Sequence, residues 1–155
     1  MARRLAAVVT LLGSLLLGGC GVDLGPDQNG HKVASEQVDK HWLVINYWAE
    51  WCGPCRTEIP ELNALAKELK DKQVSVFGVN FDGLQGEDLK SASAALGIGF
   101  TVLAQDPADH YDLPHSDALP VTYIIDDKGK VRETLLGEQT AAGVRQRLAV
   151  LRGEG

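Results

Sequence analysis

The sequence contains few of the residues from which metal sites are built. Of its three cysteines only Cys52 and Cys55 are close together, and the four histidines show no paired metal spacing. A structural zinc ion requires four ligands, and there is no second cysteine pair to complete such a site. We therefore expect no bound metal and no other cofactor.

A surplus of basic residues is also missing. Fifteen Lys and Arg stand against 21 Asp and Glu, which gives a formal net charge of −6 and an isoelectric point near 5.1. Proteins that bind nucleic acid carry basic patches, so nucleic acid is not an expected partner. The length of 155 residues is enough for one domain with a buried core.

The apolar stretch near the start is too short to cross a bilayer. Residues 5–17 are apolar or small throughout and follow Arg3 and Arg4. A membrane-spanning helix needs about 20 such residues. A positive start followed by a short apolar run is typical of a signal peptide, which we assign to residues 1–19.

The next residues indicate where the mature protein is attached. Residues 17–20, Leu-Gly-Gly-Cys, resemble a bacterial lipobox, which implies that Cys20 is lipidated and becomes the new N-terminus. A cleaved soluble signal or an uncleaved anchor, with Cys20 incidental, is the alternative. We expect residues 20–30 to form the lipidated start and a short tether, and residues 31–155 to form the domain. The domain would then lie outside the cytoplasm of a bacterium, and Gly21 leaves an outer-membrane address open.

The most informative stretch is Trp51-Cys52-Gly53-Pro54-Cys55. It follows the apolar run at residues 42–48 and precedes an amphipathic stretch, which predicts a strand, a turn and a helix. The start of a helix favours a thiolate at Cys52, so Cys52 is the better nucleophile. Cys55, one turn deeper, would resolve the mixed disulfide.

Hydrophobic periodicity predicts an alternation of strands and helices along the rest of the chain. This alternation, which ends in a tight hairpin and a last helix, argues for a mixed sheet with helices on both faces. A brief strand and a helix opened by Ser35 are expected before this series. Thr140 is placed to cap the last helix. The predicted elements occupy residues 42–48, 54–71, 74–80, 87–96, 100–104, 121–126, 130–136 and from about 141 onwards, with an irregular loop at 106–119.

Residues 48–56, Trp-Ala-Glu-Trp-Cys-Gly-Pro-Cys-Arg, resemble the thioredoxin active-site stretch. Asn46 stands where thioredoxins carry a buried Asp, and Glu58 is followed by Ile59 and Pro60. These features are similar to the TlpA/ResA-like branch of membrane-tethered extracytoplasmic thioredoxins. The resemblance implies an α/β thioredoxin fold, a mixed central sheet flanked by helices, with the helix-plus-strand insertion of that branch at residues 81–106.

The resemblance also implies site residues. Besides Cys52 and Cys55, it implies that Pro120 follows a cis peptide bond and faces the site, and that Glu58 lies near the buried cysteine and exchanges protons. The alternatives are an ordinary proline at the start of a strand and an exposed acidic residue near a helix start. Trp51 and the backbone of Leu119 are the expected docking elements for a partner.

The expected function is that of a monomeric protein-disulfide reductase. Its partners would be disulfide-containing extracytoplasmic proteins, with apocytochrome c as the best-known family role, and a membrane electron donor carrying thiols. Gly-Pro between the cysteines is the dipeptide of reducing thioredoxins, with potentials near −270 mV. A disulfide-forming oxidase and a non-catalytic scaffold or binding lipoprotein remain alternatives. A peroxidase is not supported, because a Pro-x-x-x-Thr-x-x-Cys arrangement is lacking.

Overall fold

A mixed five-stranded sheet forms the centre of the molecule. The computed structural model describes residues 21–154. The strands lie in the order β3-β2-β1-β4-β5; the first three are parallel, and β4 and β5 are antiparallel to their neighbours. They span Trp42–Trp48 (β1), Val74–Asn80 (β2), Thr101–Leu103 (β3), Val121–Ile125 (β4) and Val131–Leu136 (β5).

Helices cover the sheet, and most of them follow the predicted positions. α1 contains Pro60 in its interior, and Thr140 caps α4 by accepting a hydrogen bond from the Gly143 N–H at 3.1 Å. The loop at residues 106–119 contains a short helix that the sequence did not predict. The helices span Gly53–Leu69 (α1), Gly86–Ala95 (α2), Ala108–Tyr111 (α3) and Ala141–Arg152 (α4).

Alternation along β1 divides the core into two layers. Successive side chains of a strand point to opposite faces of the sheet. Val44 and Trp48 therefore pack on one face with apolar residues of α1 and α4. Leu43 and Tyr47 pack on the other face, and every residue of β1 after Trp42 is buried. The buried, near-continuous apolar run predicts this central position correctly.

The residues expected to form a tether lie against the domain. Leu24 is buried in the second layer, and Asp27 bridges to Leu103 of β3. The N–H of Gln28 donates to the Val102 carbonyl at 2.9 Å. Residues 22–30 thus extend the edge of the sheet, because β3 presents free backbone groups that this segment satisfies.

Ser35 does not open a helix of ordinary length; it is the first residue of a 3-10 turn, Ser35–Gln37, with Ala34 before it. The assigned signal peptide and Cys20 lie outside the described residues. Within residues 21–154, no helix is long and apolar enough to cross a membrane.

The sheet topology brings three chain segments to one edge of the sheet, the edge at which β1 and β2 end and β4 begins. β1 and β2 are parallel, so the residues that follow them, from Ala49 and from Phe81, leave the sheet on the same side. β4 is antiparallel to β1, so the residue before it, Pro120, lies at that edge too. This edge carries the candidate site.

Candidate active site

Cys52 and Cys55 form a disulfide at the beginning of α1. Their Cα atoms are 5.3 Å apart. Cys52 is the N-cap residue, with extended backbone, and Cys55 is the third residue of the helix. The helix leaves its first N–H groups without helical partners, and its positive dipole end favours a thiolate at Cys52. Cys55 is completely buried, whereas Cys52 retains 4% exposure, so Cys52 is the more accessible of the two cysteines.

Glu58 lies one helical turn after Cys55, on the same face of α1. Its side chain is completely buried. One carboxyl oxygen accepts a hydrogen bond from the Asn46 side chain at 2.6 Å, and the other accepts one from the Gln139 N–H at 3.0 Å. Burial raises the pKa of Glu58 to about 7, the two hydrogen bonds oppose that rise, and the charge of Glu138 adds to it. Glu58 is thus a buried carboxyl that titrates near neutrality.

Asn46 and Thr122 complete the surroundings of that carboxyl. They are directly opposite each other in the antiparallel β1–β4 pair, and both are completely buried. The Asn46 Nδ2 donates to Thr122 Oγ1 at 3.0 Å as well as to Glu58. The Asn46 Oδ1 has no hydrogen-bond partner among the described residues. We singled out Asn46 in the sequence, but not the contributions of Thr122 and Gln139.

Pro120 lies immediately before β4, at the site edge of the sheet. The Leu119–Pro120 peptide bond is cis, as the resemblance implied. The Pro120 carbonyl accepts a hydrogen bond from the Gly137 N–H at 2.9 Å, which joins this turn to the end of β5. Leu119 is half-buried and packs against both core layers, and it precedes the first ladder residue, Val121.

Trp51 is the large apolar side chain next to the cysteines. It is 64% exposed, whereas Trp48 is completely buried. The Trp51 Nε1 donates to Asp82 at 2.9 Å, and its ring contacts Phe81 edge-on with centroids 6.3 Å apart. Phe81 and Asp82 hold the indole against the loop after β2. The sequence did not indicate these two partners, because they come from a distant loop.

A cavity of about 390 Å³ lies beside the candidate site, on the face of the sheet that carries Tyr47. Tyr47 and Phe81 line it, and the Tyr47 hydroxyl donates to Asp106 at 2.6 Å. His115 also lines it, whereas the sequence analysis gave the histidines no role. Within residues 21–154, no three His, Cys, Asp or Glu side chains are grouped as metal ligands.

The chain is similar in sequence to one protein family and to several known proteins. Residues 23–134 match the model of the AhpC/TSA family. Thioredoxin-like protein YneN of Bacillus subtilis (strain 168) is 29% identical over 122 residues, which are 77% of this chain and 71% of YneN. Thiol-disulfide oxidoreductase ResA of Bacillus thuringiensis (strain Al Hakam) is 29% identical over 114 residues, 74% of this chain and 65% of ResA. The matched region thus spans about two thirds of these relatives.

The solved structure of StoA from Bacillus subtilis has a similar fold. It superposes with a TM-score of 0.62 at 18% identity and covers 78% of this chain and 92% of StoA. At this identity the likeness concerns the fold alone. The thioredoxin-like fold expected from the sequence is confirmed, with its mixed five-stranded sheet and flanking helices.

Proposed function

We propose that this chain, which belongs to the AhpC/TSA family, is a thiol-disulfide oxidoreductase that reduces disulfides of partner proteins. The observation that carries the proposal is the Cys52–Cys55 disulfide at a helix start, with Cys55 completely buried and Cys52 slightly exposed. The relative ResA bears the name of this activity. A disulfide used only for structure would not require a buried titrating carboxyl on the same helix face.

The reaction proceeds by two exchanges in the reducing direction. The Cys52 thiolate attacks one sulfur of the partner disulfide, forms a Cys52–partner disulfide and releases the other partner sulfur as a thiolate. Cys55 then loses its proton and attacks the Cys52 sulfur, which closes the Cys52–Cys55 disulfide and releases the second partner sulfur. Two electrons pass to the partner, and the two protons lost by the pair end on the partner's thiols.

Glu58 supplies a proton acceptor for the second exchange. Cys55 is completely buried, so solvent does not take its proton directly. The Glu58 carboxylate lies one turn away on the same helix face, and its pKa near 7 suits both uptake and release of a proton at neutral pH. In this proposal the Cys55 proton moves to Glu58 and then to the leaving thiolate of the partner.

Trp51 and Leu119 form the docking surface for the partner. The exposed Trp51 ring gives an apolar contact beside Cys52. Leu119 lies outside the β4 ladder, so its backbone is placed to pair with an extended segment of the partner, as in strand addition. The cis Leu119–Pro120 bond adjoins this position.

The reducing direction and the location complete the proposal. Gly53 and Pro54 between the cysteines match the reducing thioredoxins, and a membrane electron donor carrying thiols would restore the dithiol. A lipid on Cys20 would hold the monomeric protein to a bacterial membrane, with the domain in the periplasm or another extracytoplasmic space. Disulfide-containing extracytoplasmic proteins, apocytochrome c among them, would be the partners.

The equilibrium reduction potential of the Cys52–Cys55 pair tests this proposal. The purified protein is equilibrated in dithiothreitol or glutathione buffers, and Trp51 fluorescence reports the redox state. We expect a value near the −270 mV of thioredoxin. A value above about −150 mV, towards the strong oxidant at about −120 mV, would make the protein an oxidase. A pair that does not exchange would favour a scaffold.

A trapping variant tests the order of the two cysteines. Cys55→Ser should accumulate stable mixed disulfides through Cys52, because the resolving thiol is missing. The matched control, Cys52→Ser, should trap far less, since Cys55 is completely buried. Equal trapping by both variants would contradict the assignment of Cys52 as the nucleophile.

A further inference from the structure

A buried carboxyl that gains and loses a proton needs partners that suit both of its states. Around Glu58 these partners come from three elements: Asn46 from β1, Thr122 from β4, and the Gln139 N–H before α4. The Gln139 N–H can donate to a carboxylate or to the carbonyl oxygen of a carboxylic acid, and it does so more strongly to the carboxylate. The Asn46 amide, in contrast, meets the other carboxyl oxygen, which becomes a hydroxyl when Glu58 is protonated at that atom.

Only one end of the Asn46 amide forms hydrogen bonds. Its Nδ2 donates to both Glu58 and Thr122, whereas its Oδ1 is buried without a partner among the described residues. A half-turn of the amide about its last side-chain bond exchanges the two ends, which are similar in size. One end then lacks a partner in either orientation. The half-turn would leave the two N–H groups of Nδ2 without a partner in place of Oδ1, so it becomes favourable only when the oxygen gains hydroxyl donors, and protonation of Glu58 supplies one of them.

Thr122 makes both orientations workable. Its hydroxyl has one hydrogen and two lone pairs, and it rotates to donate or to accept. When Glu58 is ionised, the amide nitrogen faces both groups and Thr122 accepts. When Glu58 is protonated, the amide oxygen faces both groups, and it accepts from the Glu58 hydroxyl and from Thr122.

We propose that Thr122 is a positioning residue that lets the Asn46 amide turn with the protonation of Glu58, so that the carboxyl stays hydrogen-bonded in both states. This role rests on the proposed function, since it serves proton transfer between Cys55 and Glu58. No new oxidant or reductant is involved; one proton moves between the Cys55 sulfur and a Glu58 oxygen.

The charged residues near Glu58 leave Asn46 and Thr122 as the side chains that respond to its protonation. β1 and β4 present the neutral side chains of Asn46 and Thr122, and α1 presents Cys55 one turn away. The charge of Glu138, beside Gln139, favours the protonated state of Glu58, and Glu61, one turn further along α1, is a second acidic residue here and accepts a hydrogen bond from the Ala141 N–H at 2.9 Å. Among the described residues no Lys, Arg or His forms an ion pair with Glu58. A cation there would hold the carboxyl ionised.

The first test follows both groups in the oxidised protein, where the cysteines do not titrate. The ¹³C shift of the Glu58 carboxyl and the ¹H and ¹⁵N shifts of the Asn46 amide are measured from pH 4.5 to 9. We expect one common midpoint. An Asn46 amide whose signals do not respond while Glu58 titrates would overturn the proposal, and this test requires no variant.

The second test uses Thr122→Val, Thr122→Ser and the control Thr134→Val on the exposed face of β5. Valine removes a Thr122 hydrogen bond from both states, but in the ionised state it leaves an Asn46 N–H without an acceptor, whereas in the protonated state the Asn46 oxygen still accepts from the Glu58 hydroxyl. The ionised state therefore loses more, and the Glu58 midpoint should rise by roughly half a pH unit to one pH unit. Serine should restore the wild-type midpoint, and Thr134→Val should not move it. A Thr122→Val midpoint equal to the wild-type value would contradict the proposal.

The pH profile of the second exchange separates this inference from the proposed function. The step is followed by release of a model peptide from its Cys52 mixed disulfide. For Thr122→Val the profile should move in the same direction as the Glu58 midpoint. If the wild type exchanges and the Thr122→Val profile is unchanged, this inference fails alone. If the wild type does not exchange, the proposed function fails, while the Asn46 amide titration still decides the pairing.

Discussion

Glu58→Gln replaces the completely buried carboxyl beneath the cysteines with a side chain of similar size that does not titrate. In the folded, oxidised protein, burial raises the pKa of Glu58 from 4.5 to about 7. Below pH 4.5 the group is protonated in both the folded and the unfolded chain. Between pH 4.5 and 7 the unfolded chain releases the proton and the folded protein keeps it.

The sign and size of the effect follow from this difference. Protonated Glu58 contributes stability that is fully present below its unfolded pKa and is lost as the pH rises through the folded pKa. Each pH unit between the two values changes the free energy of unfolding by about 1.4 kcal/mol. The wild-type free energy of unfolding should therefore fall by roughly 3 kcal/mol relative to Glu58→Gln between pH 4.5 and pH 7.

Urea unfolding at half-unit steps from pH 4.5 to 8, followed by tryptophan fluorescence with the disulfide intact, measures both curves. Other titrating groups contribute equally to the two proteins and cancel in the difference. Glu50→Gln, on an exposed residue beside Trp51, is the control and should give a curve parallel to the wild type. Parallel curves for wild type and Glu58→Gln would refute the reasoning, because a buried carboxyl with a raised pKa must produce the slope.

Three further variants test the contacts that stabilise the fold around the site, through the free energy of unfolding in urea at pH 7. Gly78→Ala should cost about 1 to 3 kcal/mol of stability, because the new Cβ would lie 3.1 Å from the Trp48 Nε1 and 3.0 Å from the Phe100 ring; a neutral change would show that these rings yield freely. Thr140→Ala should cost about 1 kcal/mol through loss of the α4 cap, and Thr140→Ser should not; equal losses would argue against the cap. Asp126→Asn should cost about 1 to 2 kcal/mol, because the amide oxygen can still accept the two N–H groups of the β4–β5 turn but without the charge that strengthens those bonds, and the ion pair of Oδ2 with Arg132 is lost; an unchanged midpoint would contradict that.

The elements that the sequence predicted correctly are those with strong local signals. The apolar run of β1 and the cysteine spacing at the start of α1 each lie within one short stretch. Residues 22–30 show the limit of such signals. Their Gly, Asp, Asn and Pro content predicts a short tether, but composition does not tell whether such a segment packs against the domain. Leu24 in the second layer and the bridge from Asp27 to β3 depend on a sheet edge formed about 75 residues later.

The residues of the site also divide into those that a local sequence signal predicts and those that meet only through the fold. Cys52, Cys55 and Glu58 are found together because one helix carries them at fixed spacing. Thr122 meets Asn46 only through the β1–β4 register, in which a shift by one residue would turn its hydroxyl to the other face of the sheet. Gln139 contributes a backbone N–H, a group that every residue except proline has, so its identity carries no signal.

The strand position next to Glu58 is occupied by a neutral residue, Asn46. The short distance between the two side chains explains why a neutral residue suits this position. The Asn46 nitrogen lies 2.6 Å from the Glu58 oxygen. A carboxyl group at that distance would share one proton with Glu58, because two carboxylates so close do not both ionise. The pair would then titrate in two separated steps, of which neither need lie near neutrality. An amide leaves a single titrating group at this point, and the hydroxyl of Thr122 lets that amide serve the ionised and the protonated carboxyl alike. In the proposed mechanism the proton-accepting group is thus carried by the helix that bears the cysteines, while the strands beneath supply neutral partners that adapt to it.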